Sequence, residues 1–115
     1  MVQPVTTCPV DMEEGLARAG DEKDFYRELL EMFLEDVPQR IAEVRAAAAG
    51  GDPAKMAAAA HGIKGAAANL SAGPVRECAY AIEALGRRGS TDGADPLIAA
   101  LVAEVERLAE FVKTF

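Results

Sequence analysis

The sequence has few of the residues that build metal sites, disulfide frameworks or sheets. It is 115 residues long, with no Trp, one His, two Cys and 5% aromatic residues. The two cysteines, Cys8 and Cys78, cannot form a disulfide framework, and with a single His they do not make a zinc-ligand set of the usual spacing. The hydrophobic half of the chain is mostly Ala, Leu, Val and Ile, which favours helices. We therefore expect one helical domain that binds no metal and no other cofactor.

Long apolar runs and an excess of positive charge are also missing. No stretch approaches the roughly 18 apolar residues of a membrane-spanning helix, and residues 1–10 lack a basic region followed by an apolar run. Lys and Arg number 12 against 19 Asp and Glu, which gives a net charge of -7. This balance argues against binding to nucleic acid or to anionic membranes. The expected location is the cytoplasm.

The charge is distributed unevenly along the chain. Residues 11–36 contain ten acidic and three basic residues, so this segment alone carries a charge equal to the net charge of the protein. Residues 52–88 contain five basic and three acidic residues and are locally basic. A mildly basic middle in an acidic protein favours a partner with an acidic site.

Each predicted helix begins near a capping residue or a turn and carries apolar residues at spacings of three and four. Five helices are predicted, from Asp11 to Gly20, from Asp21 to about Ala49, from Asp52 to about Leu70, from the turn Ser71-Ala72-Gly73-Pro74 to Arg88, and from Asp95 onward. Pro38 should kink the second helix rather than end it. The pattern predicts an all-α fold, an antiparallel up-and-down four-helix bundle with a short extra N-terminal helix across one end. This single domain covers residues 11–115 and follows a flexible segment over residues 1–10.

The only histidine lies outside the predicted core. At 100° per residue, His61 lies about 200° from Ile63, so its side chain should point to solvent. Exposed helix faces normally carry long polar side chains. The neighbours of His61 on this face, apart from Lys64, are instead all small: Ala54, Ala57, Ala58, Gly65 and Ala68. The predicted surface around the imidazole is nearly bare.

Two glycines inside this helix do not serve its stability. Gly62 and Gly65 each cost about 0.5–1 kcal/mol relative to Ala. A glycine one turn from His61 lets another backbone or a phosphoryl group approach the ring without meeting a Cβ atom. Lys64, also one turn away, can supply a cation to a group that is bound there.

These residue types suit a carrier of phosphoryl groups. Close to neutral pH, an imidazole in water has one ring nitrogen with a free lone pair, which can act as a nucleophile. Phosphorylation of His61 would place acceptor oxygens beside the ammonium group of Lys64. A complete phosphoryl-transfer enzyme is excluded, because no Gly-rich phosphate loop or cluster of metal-binding acids accompanies them. The catalytic machinery is expected to come from a partner.

A longer motif begins at His61 and continues into the next predicted helix. It consists of His61-Gly62-Ile63-Lys64-Gly65, then Ala66-Ala67-Ala68-Asn69-Leu70, then Cys78, Ile82, Glu83 and Arg87. This pattern resembles the histidine-containing phosphotransfer (HPt) domain, whose signature is His, any residue, an aliphatic residue, Lys and Gly. The signature continues with a small residue at the place of Ala67, an aliphatic residue at Leu70 and an aliphatic-Glu pair at Ile82-Glu83. The resemblance covers nearly the whole chain.

The resemblance implies a monomeric four-helix bundle in a bacterial phosphorelay. His61 would accept a phosphoryl group from the aspartate of a response-regulator receiver domain, or donate one to it. Lys64 would stabilise the phosphoryl group, and Gly65 would permit close approach. The receiver would bring Mg²⁺, the acidic pocket and the catalysis, so the chain itself would be a carrier and not an enzyme. A hybrid sensor histidine kinase is a second implied partner.

Two departures from the family pattern concern a turn and a helix. Ser71 stands where the family usually has Gly, with Gly73 two places later, and Ala67 stands where the family often has Ser. The turn between the third and fourth helices is therefore expected to differ slightly. Neither departure changes His61, Lys64 or Gly65.

Docking residues are predicted on two helices. The set on which the partner is expected to dock is Ala57, Ala58, Ala68, Arg76 and Tyr80. One outward stripe of the fourth helix contains Arg76, Tyr80, Glu83 and Arg87. That stripe either forms the rim of the docking surface or only keeps the protein soluble.

Two other functions compete with the carrier hypothesis. A scaffold would bind a receiver or a kinase without carrying phosphate, and a His61→Gln variant would then keep its affinity for the partner. A small hydrolase would need a nucleophile or an orienting carboxylate near His61, and none lies at helical spacing from it. The sequence does not decide which ring nitrogen would be modified.

Overall fold

The computed structural model describes residues 8–115, and this part of the chain contains five α-helices and no strand. The helices are α1 (Met12–Arg18), α2 (Lys23–Ala49), α3 (Pro53–Asn69), α4 (Gly73–Arg87) and α5 (Ala94–Lys113). Helix α2 packs against α3 and α5, α4 also packs against α3 and α5, and α1 contacts α2. The predicted all-helical fold is confirmed. Within residues 8–115, no helix is both long and apolar enough to cross a membrane.

Helices α1 and α3 begin at the capping residues that the sequence predicts. The Asp11 side chain accepts a hydrogen bond from the backbone N–H of Glu14, and the Asp52 side chain accepts one from Lys55, each at 3.0 Å. Helix α2 starts at Lys23, two residues later than expected, because Asp21 has a φ of 63°, in the left-handed region. Pro38 lies inside α2 and does not end it.

The apolar stripes of the four long helices form one core. Its largest fully buried side chains are Tyr26, Leu30, Met56, Ile63, Ile82, Ile98, Leu101, Leu108, Val37, Val44 and Val75. Five predicted stripe residues, Ala48, Leu70, Cys78, Val105 and Phe115, are half-buried at its edge. Burial raises the pKa of the Cys78 thiol, as expected for a thiol that packs as a small apolar group.

The turn between α3 and α4 is tied to the start of the described chain. The backbone N–H of Asp11 donates to the carbonyl of Ser71 at 2.8 Å, and the hydroxyl of Ser71 donates to Glu14 at 2.7 Å. Val10 is 3% exposed and belongs to the core. Residues 1–7 of the segment predicted to be flexible lie outside the described residues.

Ser71, which stands where the family usually has Gly, adopts a backbone conformation that is typical of glycine. Its φ is 58°, in the left-handed region that glycine adopts most easily. The hydrogen bonds of Ser71 to α1 and to Asp11 hold a residue with a side chain in this conformation. The neighbouring Leu70 carbonyl accepts a 2.6 Å hydrogen bond from the Tyr26 hydroxyl, which ties the same turn to α2. Burial is the main reason why the pKa of Tyr26 rises to about 12.

Candidate functional site

His61 lies on the outward side of α3, as the helical spacing predicts. Its side chain is 59% exposed. The imidazole is nevertheless held in place, because Nδ1 lies 2.9 Å from Oε2 of Glu83 on α4. The other ring nitrogen, Nε2, makes no hydrogen bond to any residue between 8 and 115.

Glu83 is the centre of a charged cluster between α3 and α4. Its side chain is only 3% exposed, and three side chains converge on its carboxylate. Lys64 places Nζ 2.7 Å from Oε1, while Nη2 and Nε of Arg87 lie 2.6 and 2.9 Å from Oε2. We call His61, Lys64, Glu83 and Arg87 the Glu83 cluster.

The cluster keeps the buried carboxylate ionised. Burial alone raises the pKa of Glu83, but hydrogen bonds from Lys64, Arg87 and His61 outweigh it and lower the pKa from 4.5 to about 2. At neutral pH the carboxylate can only accept hydrogen bonds, so Nδ1 of His61 must carry the proton in their bond. A neutral His61 then has its lone pair on Nε2, the exposed nitrogen.

Lys64 is shared between the cluster and the surface. Its side chain is 26% exposed, and its ammonium group also lies 5.5 Å from the centre of the Tyr80 ring. A lysine ammonium has three donors, so the ion pair with Glu83 does not use its full capacity. The position fits the predicted role of Lys64 as a cation beside the imidazole.

An exposed strip of small residues runs along α3 on both sides of His61. We call Ala54, Ala58, His61 and Gly65 the open face of α3, and all four are exposed. A Cβ atom added at Gly65 would meet no heavy atom within 4 Å. The missing side chain of Gly65 therefore leaves space on the surface and not inside the protein.

Ala57 does not belong to this face, and its predicted exposure is wrong. It is 5% exposed, because α4 comes close to α3 at this point. A Cβ atom added at Gly86 would lie 2.8 Å from the Ala57 Cβ and 2.5 Å from the carbonyl oxygen of Pro53. Gly86 thus permits a helix contact that covers Ala57, and no motif in the sequence marks this glycine.

The predicted outward position of Glu83 is also wrong. Glu83 lies about 100° from the core residue Ile82, at the edge of the apolar stripe, and α3 covers it there. The orienting carboxylate that sequence spacing did not find near His61 comes from α4. One signal was available, since Arg87 follows Glu83 at the four-residue spacing of a helical ion pair.

Three of the predicted docking residues, Ala68, Arg76 and Tyr80, line a groove beside Lys64. The groove has a volume of about 310 Å³ and is lined by Lys64, Gly65, Ala68, Arg76, Glu77 and Tyr80. Tyr80 and Arg76 are exposed, Ala68 is half-buried, and Arg76 pairs with Glu77 at 2.6 Å. A second groove of about 380 Å³, lined by Ala54, Ala57, Ala58, Gly86 and Arg87, lies toward the other end of α3. These grooves flank the position of His61 along the helix.

Other parts of the described chain offer no comparable chemistry. A larger groove of about 620 Å³ lies between residues 8–18 and 68–76, and His61 does not line it. Within residues 8–115, no group of three His, Cys, Asp or Glu side chains could hold a metal ion. The Glu83 cluster and the open face therefore form the candidate site.

Comparisons with known proteins agree with the all-helical fold. The family model of the Hpt domain matches residues 28–111. The structure is similar to histidine-containing phosphotransfer protein B (HptB) from Pseudomonas aeruginosa PAO1, with a TM-score of 0.84 and 25% identity over 95% of both chains. It also shares its fold with the HPT domain of a hybrid histidine kinase from Shewanella, with a TM-score of 0.72 and 22% identity over 92% of both chains.

No curated protein sequence matches the chain. The family model nevertheless covers most of the sequence, including all of α3 and α4. The chain therefore belongs to the histidine-containing phosphotransfer (Hpt) domain family and has the phosphotransfer role of that family in phosphorelays.

Proposed function

We propose that His61 is the phosphoacceptor and that Nε2 is the reacting nitrogen. The observation that carries this proposal is the 2.9 Å hydrogen bond between Nδ1 and the buried Glu83 carboxylate. This bond fixes the orientation of the ring and leaves the lone pair on the nitrogen that a partner can reach. The competing scaffold function has no need of an exposed imidazole held by a buried charge.

The transfer step follows from this tautomer. The Nε2 lone pair attacks the phosphorus of an aspartyl phosphate on a receiver domain, the bond from phosphorus to the aspartate oxygen breaks, and the aspartate leaves as a carboxylate. The proton stays on Nδ1, where the Glu83 carboxylate stabilises the positive charge that develops on the ring. The reverse reaction returns the phosphoryl group to a receiver, so the same residues can accept or donate.

Three neighbouring residues would assist this step. Lys64 pairs with the other oxygen of the carboxylate that holds the imidazole, and from there it would donate a hydrogen bond to a phosphoryl oxygen. Arg87 would hold the carboxylate in place from the other side. Gly65 would let the receiver backbone approach, because no side chain projects from that point of the open face.

The partner would complete the site. We assign the catalysis, the Mg²⁺ ion and the acceptor aspartate to the receiver domain, and a hybrid sensor histidine kinase is a further expected partner. The receiver would dock on Ala58, Ala68, Arg76 and Tyr80 around the open face, with the chain acting as a monomer. A cytoplasmic location in a bacterium remains a prediction.

The proposed arrangement of the long helices is the antiparallel up-and-down four-helix bundle. The contacts of α2 with α3, α3 with α4, α4 with α5 and α5 with α2 support it, because they close a ring of four helices. The connections within the ring are short, which favours antiparallel neighbours. This arrangement would place His61 midway along one side of the bundle.

Intact-mass analysis tests the proposal. Wild type and His61→Gln are incubated with Mg²⁺ and phosphorylated receiver domains from the same organism. We expect one added phosphoryl group on wild type, labile to acid, and none on His61→Gln. If no receiver modifies wild type while one still binds both proteins tightly, the scaffold function replaces the carrier function.

A further inference from the structure

A third cation borders the open face from the α2 side. Arg40 on α2 extends its guanidinium group over Gly62 on α3, so that a Cβ atom added at Gly62 would lie 2.7 Å from Nη1. Since adjacent Cα atoms are about 3.8 Å apart, this geometry places Nη1 no more than about 8 Å from the Cα atom of His61. No pattern in the sequence marks Arg40 as a site residue.

Gly62 and Gly65 therefore have different environments. A methyl group at Gly65 would enter open space, whereas one at Gly62 would meet the Arg40 guanidinium and no backbone atom of another helix within 4 Å. The missing Cβ of Gly62 thus provides room for Nη1 of Arg40, which points toward α3. The glycine immediately after His61 positions a charge beside the open face.

Arg40 forms one ion pair, which occupies only one of its three guanidinium nitrogens. Its Nε atom lies 2.7 Å from Oδ2 of Asp36, one helical turn earlier, and its side chain is 41% exposed. Its Nη atoms donate to no other residue in the described part of the chain. By contrast, Arg87 on the opposite side of the open face directs two nitrogens to Glu83. In Arg40, Nε faces Asp36 and Nη1 faces Gly62, so Nη2 is the nitrogen whose donors no residue of the described chain uses.

We propose that Arg40 is a docking residue that sets the affinity for the receiver domain. Its Nη2 atom would donate to a carboxylate of the acidic site expected on the receiver, on the α2 side of the open face. This inference rests on the proposed function, because it needs a receiver to dock at His61. Arg40 would affect how tightly the receiver binds, whereas the transfer step at Nε2 would depend on the Glu83 cluster.

Arg27 offers a matched control on the same helix. It also pairs through Nε with a carboxylate four residues away, Glu31 at 3.2 Å, and its side chain is 44% exposed. Arg27 is 13 residues before Arg40 in the sequence. It therefore lies about 20 Å away along α2 and about 220° around it, on the opposite flank.

The test compares phosphotransfer rates of Arg40→Gln and Arg27→Gln with one receiver at several salt concentrations. For Arg40→Gln we expect kcat/KM to fall about fivefold, through KM, with a weaker dependence on salt. For Arg27→Gln we expect a change within about twofold. Equal values for the two variants, or a loss in kcat at constant KM, would overturn the inference.

A Gly62→Ala variant tests the positioning of Arg40. The new methyl group displaces the guanidinium, so kcat/KM should fall in the wild-type background, while the Tm stays at or above that of wild type. In the Arg40→Gln background the same substitution should have no further effect. An equal loss in both backgrounds would show that the methyl group itself obstructs docking and would contradict the proposed role of Gly62.

The experiments distinguish a failure of the proposed role of Arg40 from a failure of the proposed function of His61. If wild type accepts phosphate and His61→Gln does not, while Arg40→Gln and Arg27→Gln behave alike, only the role of Arg40 is wrong. If no receiver transfers phosphate to wild type, the proposed function fails, and the role of Arg40 fails with it.

Discussion

The two sides of α3 use small residues for opposite purposes. Toward α4, Ala57 and Gly86 allow the helices to approach so closely that an added Cβ at Gly86 would lie 2.5 Å from a backbone carbonyl. On the open face, Ala58 and Gly65 leave the backbone uncovered, and an added Cβ at Gly65 meets nothing within 4 Å. The same residue types thus create a helix contact on one side and an uncovered surface on the other.

Glu83 connects the two sides. It is buried in the contact between α3 and α4, yet one of its oxygens orients the exposed imidazole. Burial of an unpaired carboxylate would cost several kcal/mol, and three neighbouring cationic or proton-donating side chains offset this cost. The exposed pair Arg27–Glu31 has similar chemistry but is surrounded by water and stabilises little. Burial therefore distinguishes the ion pairs of Glu83 from those on the surface.

The largest expected effect is the loss of folding stability when the buried Glu83 carboxylate is protonated at low pH. Because the folded pKa of Glu83 is about 2 against 4.5 in the unfolded chain, its contribution to stability is present above about pH 5 and is lost as the pH falls toward 2. The loss should be about 3 kcal/mol. Urea unfolding of wild type and Glu83→Gln between pH 7 and pH 2 measures it, since the other carboxylates titrate in both proteins. If the difference between the two proteins does not change with pH, Glu83 is not held as an ionised group.

A methyl group added at the contact between α3 and α4 should destabilise the fold. Gly86→Ala forces the Pro53 carbonyl and Ala57 away from α4, and we expect a loss of about 2 kcal/mol in the free energy of unfolding. Chemical denaturation measures this, with Gly65→Ala as the control because it makes the same change in a helix without a close neighbour. Equal stability of the two variants would remove the distinction between the sides.

A methyl group on the open face should instead weaken docking. Gly65→Ala is expected to raise the free energy of unfolding by about 0.5–1 kcal/mol, because alanine favours the helix. The same change should raise the Kd for a receiver roughly tenfold, since the methyl group enters a close-packed interface. Titration calorimetry with an unphosphorylated receiver measures the affinity. An unchanged Kd would show that the receiver does not approach the backbone at Gly65.

Most of the helical framework could be predicted from local patterns. Asp11, Asp52 and Pro53 mark helix starts through their own side chains, and the apolar spacing identified core residues such as Leu30 and Ile63. The exposure of His61 followed from its angle to the same stripe. Residues at the edge of a stripe were predicted less well, because their burial depends on how closely the next helix packs.

The errors share this cause. Ala57 and Glu83 both lie beside their helix's core stripe, and each is covered where α3 and α4 pack together. Arg40 was missed for a related reason, since its contact with Gly62 joins two helices whose residues are 22 positions apart in the sequence. No periodicity within one helix reports such a contact.

The sequence by itself determined the all-helical class, the exposed histidine, the bare surface around it and the resemblance to the phosphotransfer family, because capping, periodicity and motif spacing are local properties. Only the tertiary structure decided which carboxylate orients His61, which nitrogen is left with the lone pair, and which glycine faces a neighbouring helix, open space or the Arg40 side chain. The physical reason is that burial and ion pairing depend on the distance between side chains of different helices, and that distance is set when the helices pack.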